Sequence, residues 1–223
     1  VAIRNIFIKP GISTYDLNTW LVEIGLDTNG RKEVLRCYDV LCIWTDKFSH
    51  LGKLESLDHH SGGDDPPDVV ARFDSGATLD LEHTSVEPAH RHWADKLRGG
   101  GGGVIPPLTG KYESRDELMQ AMNPFGGGGW AKVSDEAVAR YDLICEAIKK
   151  KIEKHPPGGV LVMDGDVHPR GLEFREALEV AASQSLFLPG SERWMFAFSD
   201  RANSQQFFSA MFAKDIPFEV REK

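Results

Sequence analysis

Pro67-Asp68-Val69-Val70-Ala71-Arg72-Phe73-Asp74-Ser75-Gly76-Ala77-Thr78-Leu79-Asp80-Leu81-Glu82-His83-Thr84 holds two runs of strand-forming residues around a turn. Asp68 opens the first run, which contains Val69, Val70 and Phe73; Asp74-Ser75-Gly76 reverses the chain, and Thr78 to Val86 runs back as a hairpin partner. Side chains alternate across a strand. Leu79, Leu81 and His83 therefore share one face, while Asp80, Glu82 and Thr84 share the other. One face is apolar and the other acidic, and an aspartate at the start of the neighbouring strand would share a divalent cation with Glu82, because hard cations take oxygen ligands.

A proline-aspartate pair, a strand, a turn and a glutamate on the next strand, with Asp68 and Glu82 14 residues apart, resemble the metal site of the PD-(D/E)xK nuclease superfamily. The resemblance implies an α/β fold of the restriction-endonuclease-like kind, a mixed central sheet flanked by helices. It implies magnesium or manganese as cofactor, held by Asp68, Glu82 and the backbone carbonyl of His83, with Asp80 as an extra ligand. The chain departs from the family at Thr84, where the lysine would stand. Divergent members of the superfamily carry Glu-x-Thr here and take the lysine from a following helix.

Such a helix is predicted from Ser134 to about Lys154. Ser134, Asp135 and Glu136 suit its N-terminus, and Pro156-Pro157 stop it. Val138, Tyr141, Ile144, Ile148 and Ile152 form its apolar stripe, and Lys151 falls on that stripe, where a lysine needs an anion. The helix and the apolar run Val160 to Met163 after it resemble the segment that follows the Glu-x-Thr strand in those nucleases, which makes Lys151 the catalytic lysine. The plain alternative for Lys149 to Lys151 is a solvated helix end that complements the dipole.

Around this centre, Ala2 to Ile8 reads as a strand and Ser13 to Ile24 as a helix capped by Ser13 or Thr14, together an N-terminal extension over residues 1–29. Lys32 to Phe48 reads as a longer helix with Val34, Tyr38, Leu41, Thr45 and Phe48 on one stripe. Glu33, near its start, is a candidate acid, because the first core helix of the resembling fold often presents one to the metal. After Val160 to Met163 the pattern predicts a helix from Leu172 to Ala182, a strand from Arg193 to Ser199, a short helix from Ser204 to Phe212 and a last strand from Phe218 to Val220. Gly99 to Gly103 and Gly126 to Gly129 read as flexible linkers bounding a glycine-rich insertion over 99–129. The whole chain of 223 residues reads as one domain.

Composition narrows the function. A net charge of −8 gives no long-range pull on a polyanion, so a nucleic-acid partner, DNA before RNA, would be held by local charge. Arg91, Lys96 and Arg98 after the hairpin, and Lys149 to Lys154 on the helix, are the candidates, with Arg91 and Lys154 foremost. No apolar run is long enough to span a membrane. Three cysteines without metal-type spacing suit reduced thiols, and no leader precedes Val1, so the expected location is cytoplasmic. His83, His90 and His92 with Glu82 raise zinc as an alternative, against which His83 points away from Glu82 along a strand. The rival to the nuclease reading is a non-catalytic module that keeps the same fold for binding or regulation.

Overall fold

The computed structural model describes residues 2–61, 67–86, 133–154, 158–165, 172–201 and 207–222, with Ser114, Asp116 and Glu117. Arg91, Lys96, Arg98, His90, His92, both glycine runs and the side chain of Val138 lie outside the described residues, as does all of the 99–129 insertion but those three.

Eight strands form one mixed sheet in sequence order: β1 (Ala2–Phe7), β2 (Leu54–Ser61), β3 (Val69–Phe73), β4 (Thr78–Ser85), β5 (Gly159–Asp164), β6 (Trp194–Arg201), β7 (Phe207–Ala213) and β8 (Ile216–Glu222). Neighbours are antiparallel except β4 with β5 and β5 with β6, which are parallel. The architecture is thus α/β, a mixed sheet flanked by helices. Parallel strands need a crossover, and the two long helices α4 (Val133–Lys154) and α5 (Leu172–Ser185) lie in those two connections. The central β5 is apolar on both faces: Val160 and Val162 join one core, Leu161 and Met163 the other.

On one face lie α1 (Thr14–Glu23) and α2 (Thr28–Ile43), followed by the short α3 (Thr45–Phe48). Ser13 caps α1 as expected, accepting from the Asp16 N–H. The cap of α2 is Asp27, which accepts from the Gly30 N–H at 2.8 Å, so this helix starts four residues before the expected Lys32 and ends at Ile43. Val34, Cys37, Tyr38 and Leu41 pack it on Leu57, Val69, Ala71 and Leu81. Each such buried aliphatic side chain contributes roughly 1.5–3 kcal/mol. The opposite core gathers Ile144, Ile148 and Ile152 of α4 with Leu161, Met163, Phe196 and Phe212.

Three differences from expectation are physical. Residues 1–29 do more than extend the fold: β1 pairs with β2 along its length, and Leu17 and Leu21 of α1 are fully buried. Strand β2 was not anticipated, because Glu55, Ser56, Asp58, His59 and His60 hide a strand in which buried Asp58 meets Arg72 and His59 Nε2 meets Glu33. Of the short helix expected over Ser204 to Phe212, the part from Phe207 on is instead strand β7, and residues 204–206 lie outside the described residues. Phe208 and Phe212 face the α4 core, with Phe212 stacked on Phe196 at 5.1 Å between ring centroids, and tertiary packing overrides local helix propensity. No helix among the described residues is long and apolar enough to cross a membrane.

Candidate functional site

Asp68 stands at the entrance to β3. Because Val69 pairs with Leu81, the next position outward sets Asp68 opposite Glu82 across the hairpin. The backbone fixes it there: its carbonyl accepts from the His60 N–H, and its Oδ2 accepts from the His83 N–H, 2.8 Å away. Glu82 is almost fully buried, on the sheet face that also carries Leu161 and Met163.

Lys151 arrives from α4. Ile144 and Ile148 anchor the helix on the sheet, and seven residues beyond Ile144 the lysine projects along the same stripe. Its Nζ lies 2.7 Å from Glu82 Oε2 and 3.7 Å from Asp68 Oδ2. Three groups far apart in sequence thus meet at one point. Thr84, half-buried two residues beyond Glu82, is small.

The charge balance of this cluster is incomplete. Burial pushes the Glu82 carboxyl up, the Lys151 hydrogen bond pulls it down, and the Asp68 charge pushes it up again, to about 7. Two carboxylates therefore face one ammonium, and a proton on Glu82 makes up the difference near neutrality. That donor set suits a hard divalent cation, and magnesium needs only one or two protein carboxylates because it keeps several waters. Among the described residues no three His, Cys, Asp or Glu side chains gather as a metal-holding group.

A second polar group lies close by. Glu33 of α2 reaches His59 of β2, Oε2 to Nε2 at 2.7 Å, and both line a cavity of about 370 Å³ that Asp68 also lines. Glu33 thus comes near Asp68, but its hydrogen bond goes to His59. Gly30 is required here, because a Cβ at that position would stand 2.8 Å from His59 Cε1.

On the opposite sheet face, His83 turns toward Asp164 at the end of β5, Nε2 to Oδ1 at 3.2 Å. Lys32 Nζ at 3.2 Å and Arg36 Nε at 3.1 Å complete that group. Burial opposes the charge of Asp164, yet His83, Lys32 and Arg36 together hold its carboxyl well below the usual range. The Cys37 thiol, buried in α2, is held up by burial first and then by Asp68, Glu33, Glu82 and Asp164, so four carboxylates converge on this end of the sheet.

Of the residues singled out in the sequence, Asp68, Glu82 and Lys151 come together. Asp80 is exposed opposite Val70, and no contact among the described residues joins it to the pair. His83 reaches the pair only through its backbone N–H. Lys154 is exposed at the end of α4. Sequence reasoning missed His59, Asp164, Lys32 and Arg36. No local signal marks them, because each meets a partner that only the folded sheet brings near. No protein-family model, no curated protein and no solved structure matches the chain.

Proposed function

We propose that the chain is a metal-dependent nuclease that hydrolyses phosphodiester bonds, with DNA as substrate before RNA. The observation that supports this most is the meeting of Lys151 with Glu82 and Asp68, the arrangement implied for a Glu-x-Thr nuclease whose lysine comes from a helix. The order helix α2, meander β2-β3-β4, helix α4 and parallel strand β5 supports it as well. Asp68 and Glu82, with the carbonyl of His83, would hold magnesium or manganese. Such a cation supplies a water of lowered pKa and neutralises charge on the scissile phosphate. Lys151 holds Glu82 in place and offers its ammonium to the phosphate or to the attacking water. Lys154, one helical turn on, extends positive charge toward the same strand.

One observation favours a non-catalytic module: Lys151 already stands within ion-pair distance of both carboxylates. A cleavage assay on single- and double-stranded DNA and RNA, with and without magnesium or manganese, separates the two. Expected is cleavage that requires the cation and disappears in Glu82→Gln, which also excludes a contaminating nuclease. Manganese binding without cleavage of any of the four substrates would leave the binding module.

A further inference from the structure

The surface of α2 carries a feature that the carboxylate site does not use. Thr28, Arg31, Leu35 and Asp39 follow at three- and four-residue intervals, as do Thr28, Lys32 and Arg36, and the two rows line a groove of about 440 Å³ between α1 and α2. Three of these residues are cations in a chain of net charge −8.

Two of the cations are tied down. Lys32 reaches Asp164 at 3.2 Å and Ser85 Oγ at 3.1 Å. Arg36 reaches Asp164 at 3.1 Å and Asp39 at 3.8 Å, and Asp39 also accepts from Thr14 Oγ1. Arg31 differs. No carboxylate among the described residues stands within ion-pair distance of it. Its Nη2 contacts Thr28 Oγ1 at 3.3 Å, and its Nε is buried with no hydrogen-bond partner among the described residues. A guanidinium not held by a carboxylate keeps its fork for the oxygens of a phosphate.

We infer that this groove grips the phosphodiester backbone of a nucleic-acid strand, with Arg31 as the phosphate-holding residue and Lys32 and Arg36 beside it. The choice of a nucleic acid among phosphate-bearing ligands rests on the nuclease reading. Position supports it: Lys32 touches Ser85, three residues along β4 from Glu82, or about 10 Å of strand. A strand held in the groove reaches the carboxylates by crossing the end of the sheet. Without long-range attraction, affinity has to come from such a local stripe.

The test is anisotropy of labelled single-stranded and duplex DNA with the full chain, in chelator so that nothing is cleaved, across a range of salt. Arg31→Ala is expected to weaken binding about tenfold at low salt, and to flatten the dependence of log affinity on log salt by about 0.7 for single strands or about 0.9 for duplex. Arg31→Lys should keep the slope and lose part of the affinity, and Lys214→Ala, in the exposed turn between β7 and β8, should change neither. Arg31→Gln serves if Arg31→Ala does not fold. Equal binding by wild type and the Arg31 variants, no binding by wild type at the lowest salt, or saturable binding of inorganic phosphate alone would each overturn the inference. Arg31-dependent binding by a protein that cleaves nothing would sustain it and remove the nuclease reading; cleavage with Arg31-independent binding would do the reverse.

Discussion

Two buried carboxylates sit on opposite faces of one sheet, and their surroundings drive them apart. Asp164 is fully buried beside His83, and two cations, Lys32 and Arg36, reach its Oδ2. Glu82 is nearly as buried, but it has one lysine and a second carboxylate for company, and its carboxyl rises to about 7. Burial alone does not decide what a buried acid is for; the count of opposite charges around it does. An acid matched by cations is a structural tie. An acid short of positive charge is a place for a cation, and such imbalance is what functional sites concentrate.

The largest effect should come from removing the unsaturated acid. Glu82→Gln keeps the shape and deletes the charge, so metal-dependent cleavage should fall by about 10⁴-fold or more, the scale on which essential members of a catalytic unit are lost. Stability should not fall with it, because above neutral pH the charge on Glu82 is a burden to the folded state. Cleavage rates and urea midpoints on the same preparation check both halves. Full activity in the purified variant would remove Glu82 from the site.

Asp164→Asn should do the opposite. It strips the shared anion from Lys32, Arg36 and His83, and breaking a buried pair from one side costs roughly 3 kcal/mol. Urea unfolding should show that loss, with cleavage by the folded fraction little changed. A variant as stable as wild type but inactive would exchange the roles assigned to the two faces.

How much of this contrast could be read from the chain depends on how local each contact is. The hairpin that opposes Asp68 to Glu82 was legible, because a period of two, a Gly76 turn and a short loop fix its register. Lys151 was legible too, since three- and four-residue spacing after Ile144 and Ile148 aims it at the sheet. The Asp164 group was not. It joins a helix near the start of the chain to the end of β5, a meeting that only the sheet topology creates. Strand β2 was hidden for a related reason: Asp58 is buried because Arg72 and Asn5 each approach it to 2.5 Å, and His59 because Glu33 does, so its polarity signalled a loop when read alone. In β7, Ser209 and Ala210 lowered the strand signal that the flanking aromatics carry once Phe196 is their neighbour.

Lys151→Met sharpens the comparison from the cation's side. It removes the ammonium that stands 2.7 Å from Glu82 and should cut cleavage about 10- to 100-fold, a contribution of the size that one positioned charge or proton donor makes. Lys149→Met, on an exposed part of the same helix, should have little effect. Manganese affinity should hold or rise in Lys151→Met, because an ammonium that competes with the cation is gone. Titration by calorimetry beside the cleavage assay separates the two terms. Equal, small losses in both variants would make Lys151 part of a solvated basic helix end.

The smallest effect is a pH dependence whose sign differs between the faces. In metal-free protein the folded Glu82 titrates at about 7 against an ordinary 4.5. The folded state therefore holds the extra proton between those values, so the stabilising contribution is whole below about pH 4.5 and is lost as pH rises through about 7. Asp164 is shifted down, so its contribution stands above the ordinary 3.8 and is lost only as the solution is acidified further. One proton limits the Glu82 slope to about 1.4 kcal/mol per pH unit, and solvent screening should leave on the order of 1 kcal/mol across the window. Urea midpoints in chelator at about pH 5 and about pH 8 should show wild type losing stability relative to Glu82→Gln over that rise. Magnesium added at the higher pH should restore it in wild type alone, because the cation then takes up the charge that the proton has left. A constant difference between the two proteins across the range would mean that Glu82 is as well answered as Asp164, and the asymmetry between the two faces would be gone.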